Sequence, residues 1–494
     1  MAATASLLGG TRVNVLGGLM TAILQVVAVP MALAASAPAE YGVWVALYSV
    51  TQVLVVSDLG IGASLVRKAG RVGIGGARGI ESASRFAYVA IVLISCIVLG
   101  VITVSLSGRL ADAVGQTIYV MLSVLAFVSL AVGVAGRAAS SVLIGLGRFD
   151  LNRGISLSGA ILRIGVLVAA VQLDLGIVAV AMSDCLAICV TGFASPLALR
   201  IVAPQAETRA FRQSWRTSLA ETKRVLVEGF PFFLLSFSGS VVIQGLPIIV
   251  AALGSPSDAG VFAVLYRVAL SGRQVLNWVW MPAFSSLSRS LDAEPDVRHS
   301  LIRSSSWMHV AVGVLAFVPL GIFSEDILRV VFGSDFANAA REMAGIFAYL
   351  CIMATVLPGI AVSNADGRLR ALTFAQISWT AVSLSISALL VHEVGRSGAV
   401  IGTLGTALVA LPIMLILTSN VSRFPKRLIA VPSVLAFVSA GFAASSAHFV
   451  RGVLSGSLGS MGSLAAALAT YFMLLGVVVL VARHAFRFGR FVIH

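Results

Sequence analysis

Four ionisable residues lie deep inside long apolar stretches of this chain: Arg163, Asp184, Arg267 and Arg273. Burying such a group in a bilayer is costly, so each one needs a partner or a water-filled cavity. Arg163 lies 11 residues before Asp174 and Asp184 lies 10 after it. Antiparallel helices joined by a tight turn there would bring both groups to one depth, which predicts an intramembrane ion pair. That pair suits two roles. It staples two helices together, or its carboxylate takes up a proton or sodium ion during transport while Arg163 tunes its pKa.

Arg267 and Arg273 fall on one side of a helix with Ser271, Gln274 and Asn277, at 100° per residue. No acidic residue lies in that helix, or in the one before it, away from their ends. Two unpaired guanidinium groups on a polar stripe imply water or an anionic ligand. The planar fork of arginine is the side chain best suited to bidentate phosphate. Arg273, nearer the helix end, has the alternative of snorkelling to the surface. The first apolar segment carries Asn14, Gly18, Thr21 and Gln25 at spacings of i, i+4, i+7 and i+11. Gln25 and Gln244 are 219 positions apart. Both suit the wall of a shared cavity, and small residues on such a stripe equally suit helix packing.

The elements that must carry these residues are helices. Of the 494 residues, 59% are hydrophobic and only 11% charged, with a mean hydropathy of +1.01. We read fourteen apolar segments of about 20 residues, the length that crosses a bilayer, from 13–33 to 428–448 and 461–482. The expected fold is an all-α polytopic membrane protein. Alternating ten-residue segments of the kind that build a barrel are absent.

The chain repeats itself. YGVWVALYSV at 41–50 matches AGVFAVLYRV at 259–268, with Gly42, Val43, Leu47, Tyr48 and Val50 meeting identical residues at a shift of 218. Gly147-Arg148 likewise matches Gly367-Arg368. Two similar lobes in a membrane point to a transporter with its path between them. We place an N-lobe of six helices at 1–200, a cytoplasmic amphipathic linker at 201–229, and a C-lobe of six helices at 230–419. Helices 13 and 14 and the C-terminus follow at 420–494. The lobes are related by a pseudo-two-fold axis. Within the linker, Phe211, Trp215 and Leu219 recur every four residues among basic groups, the pattern of an interfacial helix.

The formal net charge of +14 sorts by loop. Even-numbered connections and the termini hold 26 Lys and Arg, odd-numbered connections five. By the positive-inside rule both termini are cytoplasmic. The basic excess is thus an orientation signal with anionic lipid headgroups as partners, and nucleic acid is not expected to bind. Arg12, an apolar run and ALAASA at 32–37 imitate a signal peptide. Cleavage there would delete the counterpart of the segment at 230–253, so it is read as a helix. The four cysteines lie in apolar segments without metal-ligand spacing, and no metal or cofactor is expected. No motif for ATP hydrolysis or nucleophilic catalysis is present. External connections are short. The acidic pair Glu325-Asp326 is read as a solvated turn, which weighs against a membrane-embedded glycan polymerase or ligase.

The run EYGVWVALYSVTQVLVVSDLGIGASLVRK at 40–68 resembles the first external loop and second helix of Wzx-type polysaccharide flippases. These belong to the multidrug/oligosaccharidyl-lipid/polysaccharide (MOP) exporter superfamily. DAGVFAVLYRV at 258–268 resembles the matching element of the second lobe. The resemblance implies a non-enzymatic flippase in the bacterial cytoplasmic (inner) membrane. Its cargo would be an undecaprenyl-pyrophosphate-linked oligosaccharide, a repeat unit of O-antigen, exopolysaccharide or capsule, carried by alternating access. It also implies a cationic cavity lined by helices 1, 2, 7 and 8, with a glycan polymerase and a chain-length regulator as protein partners. Arg267 on helix 8 matches that cavity, while helices 1, 2 and 7 hold no Arg or Lys of their own apart from Arg12 at the entrance. The alternative within the superfamily, a multidrug/cation antiporter, would line its cavity with carboxylates.

Overall fold

The structure, a computed structural model, describes residues 2–56, 60–204, 215–289, 295–366 and 370–422, and beyond them 433–434, 441, 443, 445–447, 449–451 and 464–473. Among these residues every regular element is a helix. In lipid a backbone can satisfy its polar groups within a helix, and these sequences offer little else. In chain order they are α1 (Ala2–Ala34), α2 (Pro38–Val56), α3 (Ile61–Val72), α4 (Ala77–Val114), α5 (Gln116–Gly145), α6 (Phe149–Gln172), α7 (Gly176–Val202) and α8 (Trp215–Leu253). They continue as α9 (Pro256–Arg289), α10 (Pro295–Val312), α11 (Val318–Ile322), α12 (Ser324–Phe332), α13 (Ala340–Asp366), α14 (Arg370–Val394) and α15 (Arg396–Ser422). Among the described residues ten helices are long and apolar enough to span a membrane. The chain is a multi-pass membrane protein. The segments expected at 428–448 and 461–482 lie largely outside the described residues.

The chain divides into two compact units. One holds residues 1–278 and 369–406. In it, α7 is approached closely from two sides. A Cβ on Gly136 of α5 would lie 2.5 Å from Gly192 Cα, and one on Gly159 of α6 would lie 2.9 Å from the Ala187 carbonyl oxygen. The turn between α6 and α7 is as tight as the residue count requires. Asp174 takes φ 49° and Gly176 φ 69°, a left-handed region that glycine enters at little cost. The segment expected as one helix at 42–64 is two, α2 and α3, and Gly60 enters α3 with φ 77°. The amphipathic linker is partly outside the described residues, Phe211 included, and Trp215 begins α8 itself.

The other unit holds residues 279–368 and 407–494. Its core joins Val310, Val314 and Phe323 to Ala443, Ala447, Ala467 and Tyr471. The segment expected at 307–323 is not one α-helix. Between α10 and α11 the five residues Gly313–Phe317 form a π-turn, whose i→i+5 bonding leaves carbonyls displaced from the α ladder. Cys351 Sγ bonds to the Gly313 carbonyl and the Tyr471 hydroxyl to that of Val314. The reading of Glu325-Asp326 as a solvated turn is corrected. Both sit in the first turn of α12, and Asp326 is buried and ion-paired with Arg451. Only Glu325 is solvated, paired with Arg329 at 2.6 Å. The charge was hidden from the sequence because its partner lies 125 residues away.

Candidate functional site: a buried charge cluster

Asp184 lies eight residues into α7, roughly 12 Å from its start, and is 2% exposed. Arg163 of α6 faces it across the α6–α7 turn, with Nε 2.8 Å from Asp184 Oδ1. The expected pair is therefore present. It is not, however, isolated. Arg267 of α9 donates from Nη2 to Asp184 Oδ2 at 2.7 Å. Trp44 of α2 donates from Nε1 to the same oxygen at 2.8 Å. The Arg267 guanidinium carbon lies 4.3 Å from the centroid of the Tyr48 ring, within cation–π range. Tyr48 in turn packs against Trp44 with centroids 5.7 Å apart. Four helices, α2, α6, α7 and α9, thus converge on one carboxylate.

The expectation that Arg267 is unpaired is corrected by this contact. The partner lies 83 residues away, on a helix that the sequence does not connect to α9. Trp44 was not foreseen at all. The one available signal is that the repeat places Phe262, which has no donor, opposite it at a shift of 218.

Two guanidinium groups share one carboxylate, so the cluster carries one net positive charge. Arg163 and Arg267 are 5% and 8% exposed. Among the described residues Arg163 Nε and Nη2 and Arg267 Nε have no hydrogen-bond partner, nor do the hydroxyls of Tyr41 and Tyr266. Asp184 Oδ2 takes hydrogen bonds from Trp44 and Arg267, and Oδ1 faces Arg163 as an ion pair. The surplus charge is shared by Arg163 and Arg267.

The other expected site residues disperse. The expectation that Arg273 is unpaired is corrected as well: its Nη2 donates to Ser240 Oγ of α8 at 3.2 Å. Gln274 is half-buried and Asn277 exposed. Gln244 is buried, its Oε1 without a partner among the described residues, and Gln25 is half-buried. Asn14 lies on α1, with its side chain outside the described part.

The fold is shared with solved transporters. A transporter of the MOP superfamily from Pyrococcus furiosus superposes with a TM-score of 0.61 at 15% identity, covering 84% of this chain and 96% of its own. The lipid II flippase MurJ, in an inward closed conformation, gives 0.66 at 11% identity, covering 94% and 98%. The multidrug transporter DinF-BH gives 0.63 at 17%, covering 85% and 97%. A comparison with curated proteins gave no match. Helix order and superposition define a membrane protein with the MOP transporter fold. Residues 7–288 match the family described as polysaccharide biosynthesis protein. That is more than half of the chain, which belongs to this family, as the run at 40–68 implied.

Proposed function

We propose that the chain flips a polyprenyl-pyrophosphate-linked oligosaccharide, the repeat unit of a surface polysaccharide, across the bacterial cytoplasmic membrane by alternating access. The lobes at 1–200 and 230–419 would rock about the path, with both termini in the cytoplasm. The observation that carries this reading is the buried net positive charge of the cluster that Arg163, Asp184 and Arg267 form. A buried net positive charge with unmet N–H donors favours an anion, and its pull grows in a low-dielectric wall. It disfavours the cations that a drug antiporter exports.

In this reading Arg267 exchanges partners. Its guanidinium leaves Asp184 Oδ2 for a pyrophosphate oxygen, while Arg163 and Trp44 hold the carboxylate. Arg273, Gln274, Asn277, Gln25, Gln244 and Asn14 supply weaker polar contacts. Asp184 doubles as the acceptor of a coupling proton or sodium ion. The polyprenyl tail stays in lipid, and polymerase and chain-length regulator receive the product outside.

The test is restoration of surface glycan in a flippase-deficient strain, with membrane protein level measured alongside. Arg267→Ala is a clean variant because Asp184 remains paired with Arg163. It should lose almost all export, Arg267→Lys should retain part, and Arg273→Ala should be milder. Full export by a well-expressed Arg267→Ala protein would refute the assignment.

A further inference from the structure

The two copies of the repeated motif touch each other. Gly42 of α2 and Gly260 of α9 correspond at a shift of 218. A Cβ on Gly42 would lie 2.6 Å from the Gly260 nitrogen, and one on Gly260 would lie 2.2 Å from the Pro38 carbonyl oxygen. Real Cβ atoms do not come so near, so the crossing closes only because both side chains are absent. Other glycine contacts, such as Gly136 against Gly192, join helices within one copy. This one joins copy to copy.

The residues around the crossing are buried and tied. Trp44, Val45, Ala46 and Leu47 on α2, and Val264 and Leu265 on α9, are fully buried. At the same end Arg109 of α4 donates to the Ala252 carbonyl of α8, and Arg396 pairs with Asp258 at 3.3 Å. Seven residues inward from the glycines, about 10 Å along each helix, stand Ser49 on α2 and Arg267 on α9. The charge cluster therefore sits directly behind the crossing.

We infer that the Gly42–Gly260 crossing is the outer seal of the transport path, and that the missing side chains set how tightly it shuts. This rests on the alternating-access reading and on the outside placement of the loops before Pro38 and Pro256. Opening to the outer leaflet requires α2 and α9 to part here and Arg267 to leave Asp184. A permanent helix joint would need neither movement. A methyl group at either glycine acts against the shut state only, because the clash exists only there.

The experiment reads access instead of export. Ser49 is fully buried. It is changed to cysteine in a protein whose four native cysteines are replaced, and a membrane-impermeant maleimide is added outside intact spheroplasts. Labelling should be slow in the parent. It should be about tenfold faster with Gly260→Ala or Gly42→Ala, the shift expected when overpacking acts on one of two states. Arg109→Ala, an exposed change that leaves the crossing itself intact, should speed labelling in the same direction by less. It carries the test should the glycine variants fail to reach the membrane. Unchanged labelling in membrane-inserted Gly260→Ala and Arg109→Ala proteins would overturn the seal. No glycan enters this assay, so failure here and failure of the Arg267 export test are separate results.

Discussion

Two helix hairpins hold corresponding places in the repeat and are stitched in different ways. In α6/α7 the stitch is ionic, Arg163 to Asp184. At a shift of 220 these positions become Ser383 and Leu404 on α14 and α15. There the stitch is neutral. Ser387 Oγ donates to the Ala399 carbonyl at 3.2 Å and lies 3.3 Å from Thr403 Oγ1. Gly402 lets the backbones close, since a Cβ on it would lie 2.6 Å from Ser387 Oγ. The neutral hairpin shows that this joint does not need charge. A buried ion pair often breaks even at best against uncharged packing. What the charged hairpin adds is an anchor for a third helix: Asp184 reaches Arg267 on α9, and a leucine at the matching position has no polar atom to offer. The same holds one layer away, where Trp44 and Arg267 correspond to Phe262 and Ser49. Arg163, Asp184, Arg267 and Trp44 are positions at which the two copies differ, while Tyr48 meets an identical Tyr266.

The largest effect expected from breaking this contrast is at Asp184. Asp184→Ala strands two buried guanidinium groups and should cost about 3–5 kcal/mol, seen as a lowered unfolding midpoint in detergent or as loss from the membrane. Giving each charged position the residue of its counterpart in the other copy, as Arg163→Ser with Asp184→Leu and Arg267→Ser, should recover most of that stability while export stays absent. A triple variant no more stable than Asp184→Ala would mean that the charge holds the fold and not the cargo. Next comes Trp44→Phe, which installs the residue of the second copy. It removes one N–H bond to a carboxylate, worth about 1.5–3 kcal/mol, and frees Asp184 Oδ2 to compete harder for Arg267. A midpoint shift smaller than that of Ser387→Ala would argue that the indole bond is idle. Ser387→Ala itself, in the neutral hairpin, should cost only about 0.6 kcal/mol, the usual size of such a bond between membrane helices, and leave export intact. A loss as large as that of Asp184→Ala would end the distinction between the two joints.

Much of this was legible in the residues. Counting 11 and 10 positions from Asp174 placed Arg163 opposite Asp184, because a tight helical hairpin leaves depth as its only free coordinate. Hydropathy gave the helices, and the run at 40–68 gave the family. The third and fourth partners were not legible. Arg267 and Trp44 reach Asp184 across tertiary contacts 83 and 140 residues long, and no helical periodicity encodes which helix abuts which. Hydropathy does not reveal the break at Gly60, because after Ser57-Asp58 apolar residues resume at Leu59 and Ile61. Asp326 was misread for the same reason as Arg267: a buried charge looks solvated until its distant partner is found.

The π-turn at Gly313–Phe317 has a consequence for the length of the chain itself. A π-turn takes up one residue more than the α-helix it interrupts. Deleting one residue elsewhere in a spanning helix rotates everything after it by about 100° and turns a lipid-facing side inward. Deleting one residue within 313–317 instead lets α10 and α11 join as an unbroken α-helix with their faces kept in register. The losses are the side-chain bonds from Cys351 and Tyr471 to the displaced carbonyls. Within the described residues of the unit of 279–368 and 407–494, loss of one residue here should leave the helix faces in register.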